Sequence, residues 1–367
     1  MRKHLKFVAL CAVAALALVW FVRNLNWAEV SAAVRGADWR LIAAAVALVW
    51  LTYLIRAFRW RTLLRPLAPQ ASLREAFAAT TVGFSAIFLV GRAVGELLRP
   101  AFLSLRDPEV RPGPAFVTIA VERLCDTTAV VVLFAANLLV LRLPGVEEGA
   151  LARVREAGAI CLAAAVLGFA ALILFRRRAA SVTGWLDARF GRWPAPLARA
   201  GRLATGLLAQ LADTLGVFAN ARELLATVGW TAALWGAITA ANMLVLRAFG
   251  LPLGVGETVF VLGWSLVGSL LPTPGAGAGT YHAATAHGLV SYLGVGKSEA
   301  DAATIVLHLV VFGSALFFGL YYFLRGGVSL ARLRGAAETG ERAGEGRAGA
   351  GRGKPGQVSG SEFRVSS

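Results

Sequence analysis

Long runs of apolar residues alternate with short polar and charged segments along the chain. A helix needs about 20 apolar residues to cross the hydrocarbon core of a bilayer. Six runs approach that length with few charges: 7–22, 41–55, 116–141, 157–175, 224–249 and 302–324. The pattern therefore predicts an all-α protein, a polytopic transmembrane helical bundle with about six full spans.

Two further apolar stretches, 76–90 and 258–271, are shorter and are interrupted by Gly83, Gly263 and Gly268. Their length falls below that of a full span. Irregular backbone at membrane depth is tolerated where it is buried in protein or lines a cavity. We therefore predict that both stretches form re-entrant hairpins that meet near the middle of the membrane, and eight full spans are the alternative.

Composition agrees with a membrane protein. Apolar residues make up 57% of the 367 positions and the mean hydropathy is +0.65, whereas a soluble domain has roughly 45–50% apolar residues. The net charge is +16, from 37 Lys and Arg against 21 Asp and Glu. In a soluble protein this excess would suggest nucleic-acid binding. In a membrane protein the enrichment of Lys and Arg in cytoplasmic loops accounts for it, so we expect no nucleic-acid partner.

The distribution of charge predicts the orientation of the chain. Basic residues cluster at 56–74, at 92–111, from 176 onward and from 325 to the end. Because cytoplasmic loops carry the excess of Lys and Arg, we predict that these segments and both termini are cytoplasmic. The connections that we place outside have fewer basic residues or offset them with acids: 23–40, 142–156 and 247–297.

The membrane domain is predicted to cover 1–334, with a retained first helix rather than a cleaved signal peptide, and with halves at about 41–141 and 224–324. Between the halves, 179–222 carries a helical stripe of leucines. This stripe indicates an amphipathic helix that lies on the cytoplasmic leaflet or packs on the bundle. Residues 335–367 are rich in Gly, Ala, Arg, Glu and Ser, which predicts a disordered cytoplasmic tail.

The two halves show the same order of features. In each half a span precedes a glutamate (Glu75 or Glu257), a short apolar stretch, a glycine-containing segment and a second span. The charge pattern places the two short stretches on opposite sides of the membrane. This order favours an inverted repeat, as in many secondary transporters. Chance matching among Ala, Val, Leu and Gly is the alternative.

Three groups of residues could carry chemistry. The first contains Arg92, Glu96 and Arg99, whose i, i+4, i+7 spacing places them on one helical face. A guanidinium can hold a phosphate through two parallel hydrogen bonds, and Glu96 would keep the two arginines apart and oriented. The alternative is a cytoplasmic turn with surface ion pairs.

The second group contains Glu122, Arg123 and Asp126, near the start of an apolar span. A charge at the centre of a bilayer costs about 2.5–3.5 kcal/mol even on the lenient insertion scale. These side chains should therefore face the bundle or a wet cavity, with Arg123 neutralised by one of the two acids. A structural ion-pair knot is the alternative to a functional site.

The third group follows the second short stretch and contains Pro274, Gly275, Gly277 and Gly279. So many helix breakers expose backbone amides, and exposed amides at a helix N-terminus favour an anion. His282 and His308 are secondary candidates for a proton or ligand role, against ordinary polar residues of a bundle. Arg59, beside Trp60 and close to Arg56, is interpreted first as an interfacial anchor.

Nothing in the sequence marks a catalytic or metal site. Cys11, Cys125 and Cys161 all lie in apolar runs, where a thiol behaves as a small hydrophobic group. We therefore expect no disulfide, metal or cofactor, and no enzymatic activity.

The ordered set of motifs resembles the lysylphosphatidylglycerol synthase transmembrane family, also called the flippase-like family, from about 7 to 325. The motifs are Arg59-Trp60, Gly91-Arg92 with Gly95-Glu96 and Arg99, Glu122-Arg123 with Asp126, and Pro274-Gly275 with Gly277 and Gly279. The resemblance implies the membrane part of proteins that translocate lysylphosphatidylglycerol or act in other polar-lipid pathways. Two departures limit it: Ala276 replaces a glycine of the family, and Tyr281 stands where an acid is expected.

The expected protein is a lipid transporter of the bacterial cell (inner) membrane that handles an anionic or glycosylated head group. Its partner would be a membrane lipid, either a phospholipid, a glycolipid or a polyprenyl-linked lipid. One alternative is an accessory subunit for a separate glycosyltransferase or lipid synthase. A membrane-embedded transferase that uses Glu122 or Asp126 as a base is another. Because no acyltransferase domain follows the membrane region, the chain is not expected to make lysylphosphatidylglycerol itself.

Overall fold

A computed structural model describes residues 25–140, 148–190, 220–270 and 274–325, and isolated positions at 23 and between 198 and 212. All regular structure in these residues is helical. The predicted first span (7–22) and the tail (335–367) lie outside the described residues. So does most of the connection 179–222 beyond Phe190.

The described residues form eleven helices, numbered here in chain order. They are α1 (Trp27–Gly36), α2 (Trp39–Leu64), α3 (Leu73–Leu89), α4 (Arg92–Arg106), α5 (Pro112–Val140), α6 (Glu148–Phe190), α7 (Ala221–Ala248), α8 (Val255–Gly268), α9 (Thr280–Leu293), α10 (Lys297–His308) and α11 (Ala315–Arg325). A helical turn, Pro274–Gly277, precedes α9, and a π-helical segment, Leu309–Gly313, joins α10 to α11.

Within the described residues, four helical segments are long and apolar enough to cross a membrane. They are Trp39–Leu64, Ala115–Val140, Ala221–Ala248 and the continuous stretch Lys297–Arg325. These segments confirm four of the six predicted spans. The predicted span 157–175 lies inside α6, whose described apolar part is Gly158–Gly168.

The first short apolar stretch forms one arm of a tight helical hairpin. Helix α3 packs antiparallel against α4. The two helices are so close that a Cβ atom at Gly95 would collide with the backbone of Gly83 and the side chain of Ile87. The chain reverses at Gly91, whose φ of 132° favours glycine. The two arms have 17 and 15 residues, about 25 and 22 Å of helix, which is less than the bilayer core of about 30 Å.

Polar contacts close the open end of this first hairpin. Arg106 forms a salt bridge with Glu75 across the two arms. The Asp107 carboxylate accepts a hydrogen bond from the Ser72 backbone N–H at 2.9 Å, and Ser72 is the N-cap of α3. The two ends of the hairpin are thus held side by side.

The second short stretch has the same arrangement. Helix α8 packs antiparallel on α9 in close contact. A Cβ atom at Gly268 would collide with the backbone of Thr280 and Tyr281, and one at Gly288 would collide with Trp264. Each arm has 14 residues. Each short stretch is therefore a single helix and forms one arm of a hairpin, whose second arm is the helix that follows it.

The tips of the two hairpins meet inside the bundle. The helical turn Pro274–Gly277 contacts α3, and the ring of Phe88, near the end of α3, lies 5.9 Å from the His308 ring. His308 is the last residue of α10 before the π-helical segment. The turn that follows the second short stretch thus lies against the helix formed by the first, and their position near the middle of the membrane stays a prediction.

The first spans of the two halves pack along each other at the centre. Helix α2 contacts α7 extensively, with stacked rings of Phe58 and Trp230 at 5.2 Å. Val49 of α2 and Val245 of α7 belong to one buried apolar core that also contains Leu307 of α10. Each half thus supplies a span, a hairpin and a second span in the predicted order.

Candidate functional site

A cluster of buried charges joins helices α2, α4 and α5. It consists of four arginines and two acids: Arg56, Arg59, Arg99, Arg123, Glu122 and Asp126. We call these six residues the ion cluster. Five of them are buried, and Arg123 is partly exposed.

Glu122 is the deepest acid of the ion cluster, with no exposed side-chain surface. Arg99 donates from Nη1 to Oε1 at 2.9 Å and from Nη2 to Oε2 at 3.1 Å. Arg123 Nη2 donates to Oε1 at 3.0 Å, and Arg59 Nη2 lies 3.4 Å from the same oxygen. Three guanidinium groups therefore surround one carboxylate.

Asp126 lies one turn further along α5 and is also surrounded by arginines. Arg59 Nη1 donates to its Oδ1 at 2.6 Å. Arg123 Nη2 lies 3.1 Å from Oδ2, and Arg56 Nη1 lies 3.6 Å from the same oxygen. Arg123 thus bridges both acids, which confirms the prediction that these acids neutralise it and that the charges face the bundle.

The ion cluster holds four positive and two negative formal charges, an excess of two positive charges. Arg56 shows the imbalance best, because its Nε and Nη1 have no hydrogen-bond partner among the described residues although the side chain is buried. The ring of Phe84 lies 4.6 Å from the Arg56 guanidinium, and that of Trp60 lies 4.6 Å from Arg99. Aromatic faces attract cations, but they do not remove the excess charge.

The sequence places these side chains together through helical spacing and glycine. Glu122 and Asp126 are four residues apart on one face of α5. The side chain of Arg99 crosses α3 at Gly83, where any Cβ atom would collide with it. Trp60 Nε1 donates to Thr118 Oγ1 at 2.8 Å, which fixes α2 against α5 one turn before Glu122.

The first predicted group separates into two parts in the structure. At the edge of the site, Arg92 Nε lies 4.0 Å from Glu96 Oε1. The two side chains are 47% and 26% exposed. Arg99 is buried and pairs with Glu122. The prediction that Glu96 orients both arginines is therefore wrong, because Arg99 turns into the bundle where the complementary charge of α5 lies.

The interfacial-anchor interpretation of Arg59 is also wrong. Arg59 and Trp60 are both 0% exposed, and Arg56 is 8% exposed. Arg56 was not among the predicted site residues. The signal that could have identified it is its spacing of three residues from Arg59, which places both guanidinium groups on the face of α2 that meets α5.

The third predicted group lies at the tip of the second hairpin. Gly275, Ala276, Gly277 and Gly279 all have positive φ, and Ala276 is the single non-glycine residue with positive φ among the described residues. The Gly279 N–H donates to His282 Nδ1 at 3.2 Å.

Tyr281, His282 and His308 form a buried aromatic group beside this tip. The His282 and His308 rings lie 4.6 Å apart, and the Tyr281 and His308 rings lie 4.8 Å apart. Helix α3 connects this group to the ion cluster, because Phe84 lies against Arg56 and Phe88, one turn later, lies near His308. The predicted site residues thus form two groups, the ion cluster and the aromatic group, and both groups contact α3.

An apolar groove of about 660 Å³ runs between α5 and α7. Cys125 and Thr231 line it, and both lie next to the ion cluster. Thr231 Oγ1 accepts a hydrogen bond from Arg59 Nη1 at 3.2 Å. The groove therefore reaches the ion cluster from the side of α7. The more exposed residues of the site, Arg92, Glu96 and Arg123, do not line the groove.

Comparison with known proteins decides the family. The model of the lysylphosphatidylglycerol synthase transmembrane region matches residues 7–319, well over half of the chain. The chain belongs to this family. The lysylphosphatidylglycerol synthase transmembrane family indicates a multi-pass integral membrane protein linked to lipid metabolism. No curated protein matches the chain.

The chemistry available at the site is that of charge recognition. Within the residues that the structure describes, no group of three or more His, Cys, Asp and Glu is placed to hold a metal ion. Both acids of the ion cluster are held by arginines. With four guanidinium groups and two carboxylates, the ion cluster favours an anion electrostatically.

Proposed function

We propose that this family member is a lipid transporter that binds an anionic or glycosylated head group and carries it across the bacterial inner membrane. The observation that supports the proposal most directly is the formal excess of two positive charges in the ion cluster. Buried charge without a counter-ion is costly. A lipid phosphate would supply the missing negative charge.

Arg92 and Arg123 are the arginines that a phosphate would reach first. They carry the most exposed guanidinium groups at the site, with side-chain exposures of 47% and 29%. Arginine binds phosphate through two parallel hydrogen bonds that lysine does not reproduce. Arg123 already contacts both acids, so a phosphate that binds it would change the balance of the whole ion cluster.

The two helical hairpins are the proposed moving parts. Re-entrant segments that meet at the middle of the membrane are typical of transporters with inverted repeats. Here Arg99 ties the first hairpin to Glu122, and the tip of the second hairpin rests on α3. Binding at the ion cluster would therefore alter how the hairpin tips pack.

Reconstitution in liposomes tests the proposal. Purified protein and a fluorescent phosphatidylglycerol should make label in the inner leaflet accessible to an impermeant reducing agent, whereas protein-free vesicles should not. Formation of a new lipid product would instead favour a transferase. Absence of both activities would favour an accessory subunit for a separate glycosyltransferase or lipid synthase.

A further inference from the structure

One wall of the groove carries a regular stripe of polar side chains. Thr227, Thr231, Trp235 and Thr239 follow one another every four residues on α7, and all four line the groove. All four are buried, with at most 9% of each residue exposed. We call them the polar stripe. The other residues that line the groove are almost all apolar.

Three members of the polar stripe have polar atoms without a partner among the described residues: Thr227 Oγ1, Trp235 Nε1 and Thr239 Oγ1. A threonine within a helix commonly bonds back to the carbonyl four residues earlier, as Thr231 does to Thr227 O at 2.7 Å. An unpartnered buried donor or acceptor costs about 1–3 kcal/mol. The three atoms have almost no accessible surface of their own, so an occupant that forms hydrogen bonds with them would reach them after the side chains turn towards the groove.

The polar stripe is continuous with the ion cluster. Thr231, its second member, accepts the hydrogen bond from Arg59. From residue 227 to residue 239 the stripe extends about 18 Å along α7, more than half of the hydrocarbon core. A lipid bound at the ion cluster would therefore have hydrogen-bonding positions on both sides of Thr231.

We propose that the polar stripe binds the hydroxyl groups of a lipid head group, of the glycerol or sugar type, as the lipid occupies the groove. The substrate class thus rests on the proposed transport of an anionic or glycosylated lipid. Hydroxyl groups both donate and accept hydrogen bonds, which suits threonine oxygens and an indole N–H. Threonine has two accessible rotamers in a helix, so its hydroxyl can turn from the helix towards a ligand.

The chemistry of the polar stripe separates related head groups. All its members are uncharged, so they add little to the binding of a bare phosphate. A quaternary ammonium group has no hydrogen to donate and no lone pair to accept, so it cannot satisfy the stripe. A head group with several hydroxyls satisfies both requirements.

Two lipids with the same charge and chains provide the test. Dioleoylphosphatidylglycerol has two head-group hydroxyls, and dioleoylphosphatidylmethanol has none. Affinity would be measured from the thermal stabilisation of purified protein in a non-ionic detergent titrated with each lipid. We expect wild-type protein to bind phosphatidylglycerol about tenfold more tightly, the equivalent of one or two hydrogen bonds.

Variants assign this preference to the polar stripe. Thr227→Val and Thr239→Val each replace a hydroxyl group by a methyl group of similar size, and Trp235→Phe removes the indole N–H together with part of the ring system. Combined, they should lower the affinity for phosphatidylglycerol to that for phosphatidylmethanol and leave the latter unchanged. Thr81→Val is the matched control, because the Thr81 hydroxyl bonds to its own helix away from the groove.

Equal binding of the two lipids by wild-type protein would overturn the proposal, and so would an equal loss of affinity for both in the triple variant. Failure of wild-type protein to bind either lipid would overturn both this inference and the proposed function. Binding of both lipids without a preference would overturn the inference alone.

Discussion

Arg99 and Glu122 meet fork to fork, with the two Nη atoms of the guanidinium donating to the two carboxylate oxygens at 2.9 and 3.1 Å. The pair connects the first hairpin to α5, the span that also carries Asp126. Both side chains are almost completely buried. The hairpin is therefore attached to the bundle by a charge pair, which is strong only while both partners are present.

We predict that Arg99→Ala lowers the free energy of unfolding by about 3–5 kcal/mol, because it removes one partner of a buried ion pair. Equilibrium unfolding in mixed micelles would measure the change. Arg65→Ala is a suitable control, since Arg65 pairs with Glu223 but is 52% exposed, and such pairs contribute about 1 kcal/mol or less. Equal effects of the two substitutions would contradict a structural role for the buried pair.

Arg123→Ala should have a different effect. Its side chain is 29% exposed, whereas that of Arg99 is 1% exposed, so water can take over part of its contacts and the free energy of unfolding should fall by less than in Arg99→Ala. The affinity for an anionic lipid should fall, because Arg123 is the partly exposed member of the ion cluster. Unfolding and lipid titration of the same preparation would check both statements. A loss of stability as large as that of Arg99→Ala would show that Arg123 is structural.

Close packing of the first hairpin gives a third prediction. Gly95→Ala should lower the free energy of unfolding by about 1–3 kcal/mol, since the new Cβ atom would collide with Gly83 and Ile87. Gly229→Ala in α7 is the control, because nothing lies within 4 Å of a Cβ atom there. That change should stabilise the helix by roughly 0.5–1 kcal/mol. Stabilisation by both substitutions would contradict the packing.

Orientation and re-entrance can be tested by labelling. In a chain whose native cysteines have been replaced, single cysteines at Glu75 and Glu109, at the open end of the first hairpin, should be labelled from the cytoplasmic side. A cysteine at Ala93, beside the tip at Gly91, should not be labelled from the outside. A cysteine in 250–256 should react with an impermeant thiol reagent in intact cells, and one in the tail should not. Labelling of the cysteine at Ala93 by the impermeant reagent in intact cells would show that α3 crosses the membrane fully.

Much of the fold could be predicted from the sequence, since apolar length and glycine position are local properties. The four long apolar segments follow from run length, and the short stretches at Gly83 and Gly268 correspond to hairpin arms. The pairing of Glu122 and Asp126 with Arg123 followed from the cost of charge in an apolar span. These inferences need no knowledge of which helices are neighbours.

The partners of Arg59 and Arg99 could not be predicted in the same way. Their position in the sequence, beside a tryptophan and within a basic turn, is typical of an interface or a surface. Both side chains are buried because α2 and α4 pack against the acidic face of α5. Only the tertiary arrangement brings these distant charges together.

The central claim is that two exposed arginines, Arg123 of the ion cluster and Arg92 at the edge of the site, bind the phosphate of a transported lipid. The most direct measurement is the rate at which labelled phosphatidylglycerol crosses the bilayer of liposomes that contain wild-type protein, the Arg92→Ala, Arg123→Ala double variant or the Arg65→Ala control. The account predicts rapid crossing with wild-type and control protein. The double variant, at equal folded amount, should fall to the protein-free rate. A wild-type rate in the double variant would contradict the account and show that these arginines only set the topology.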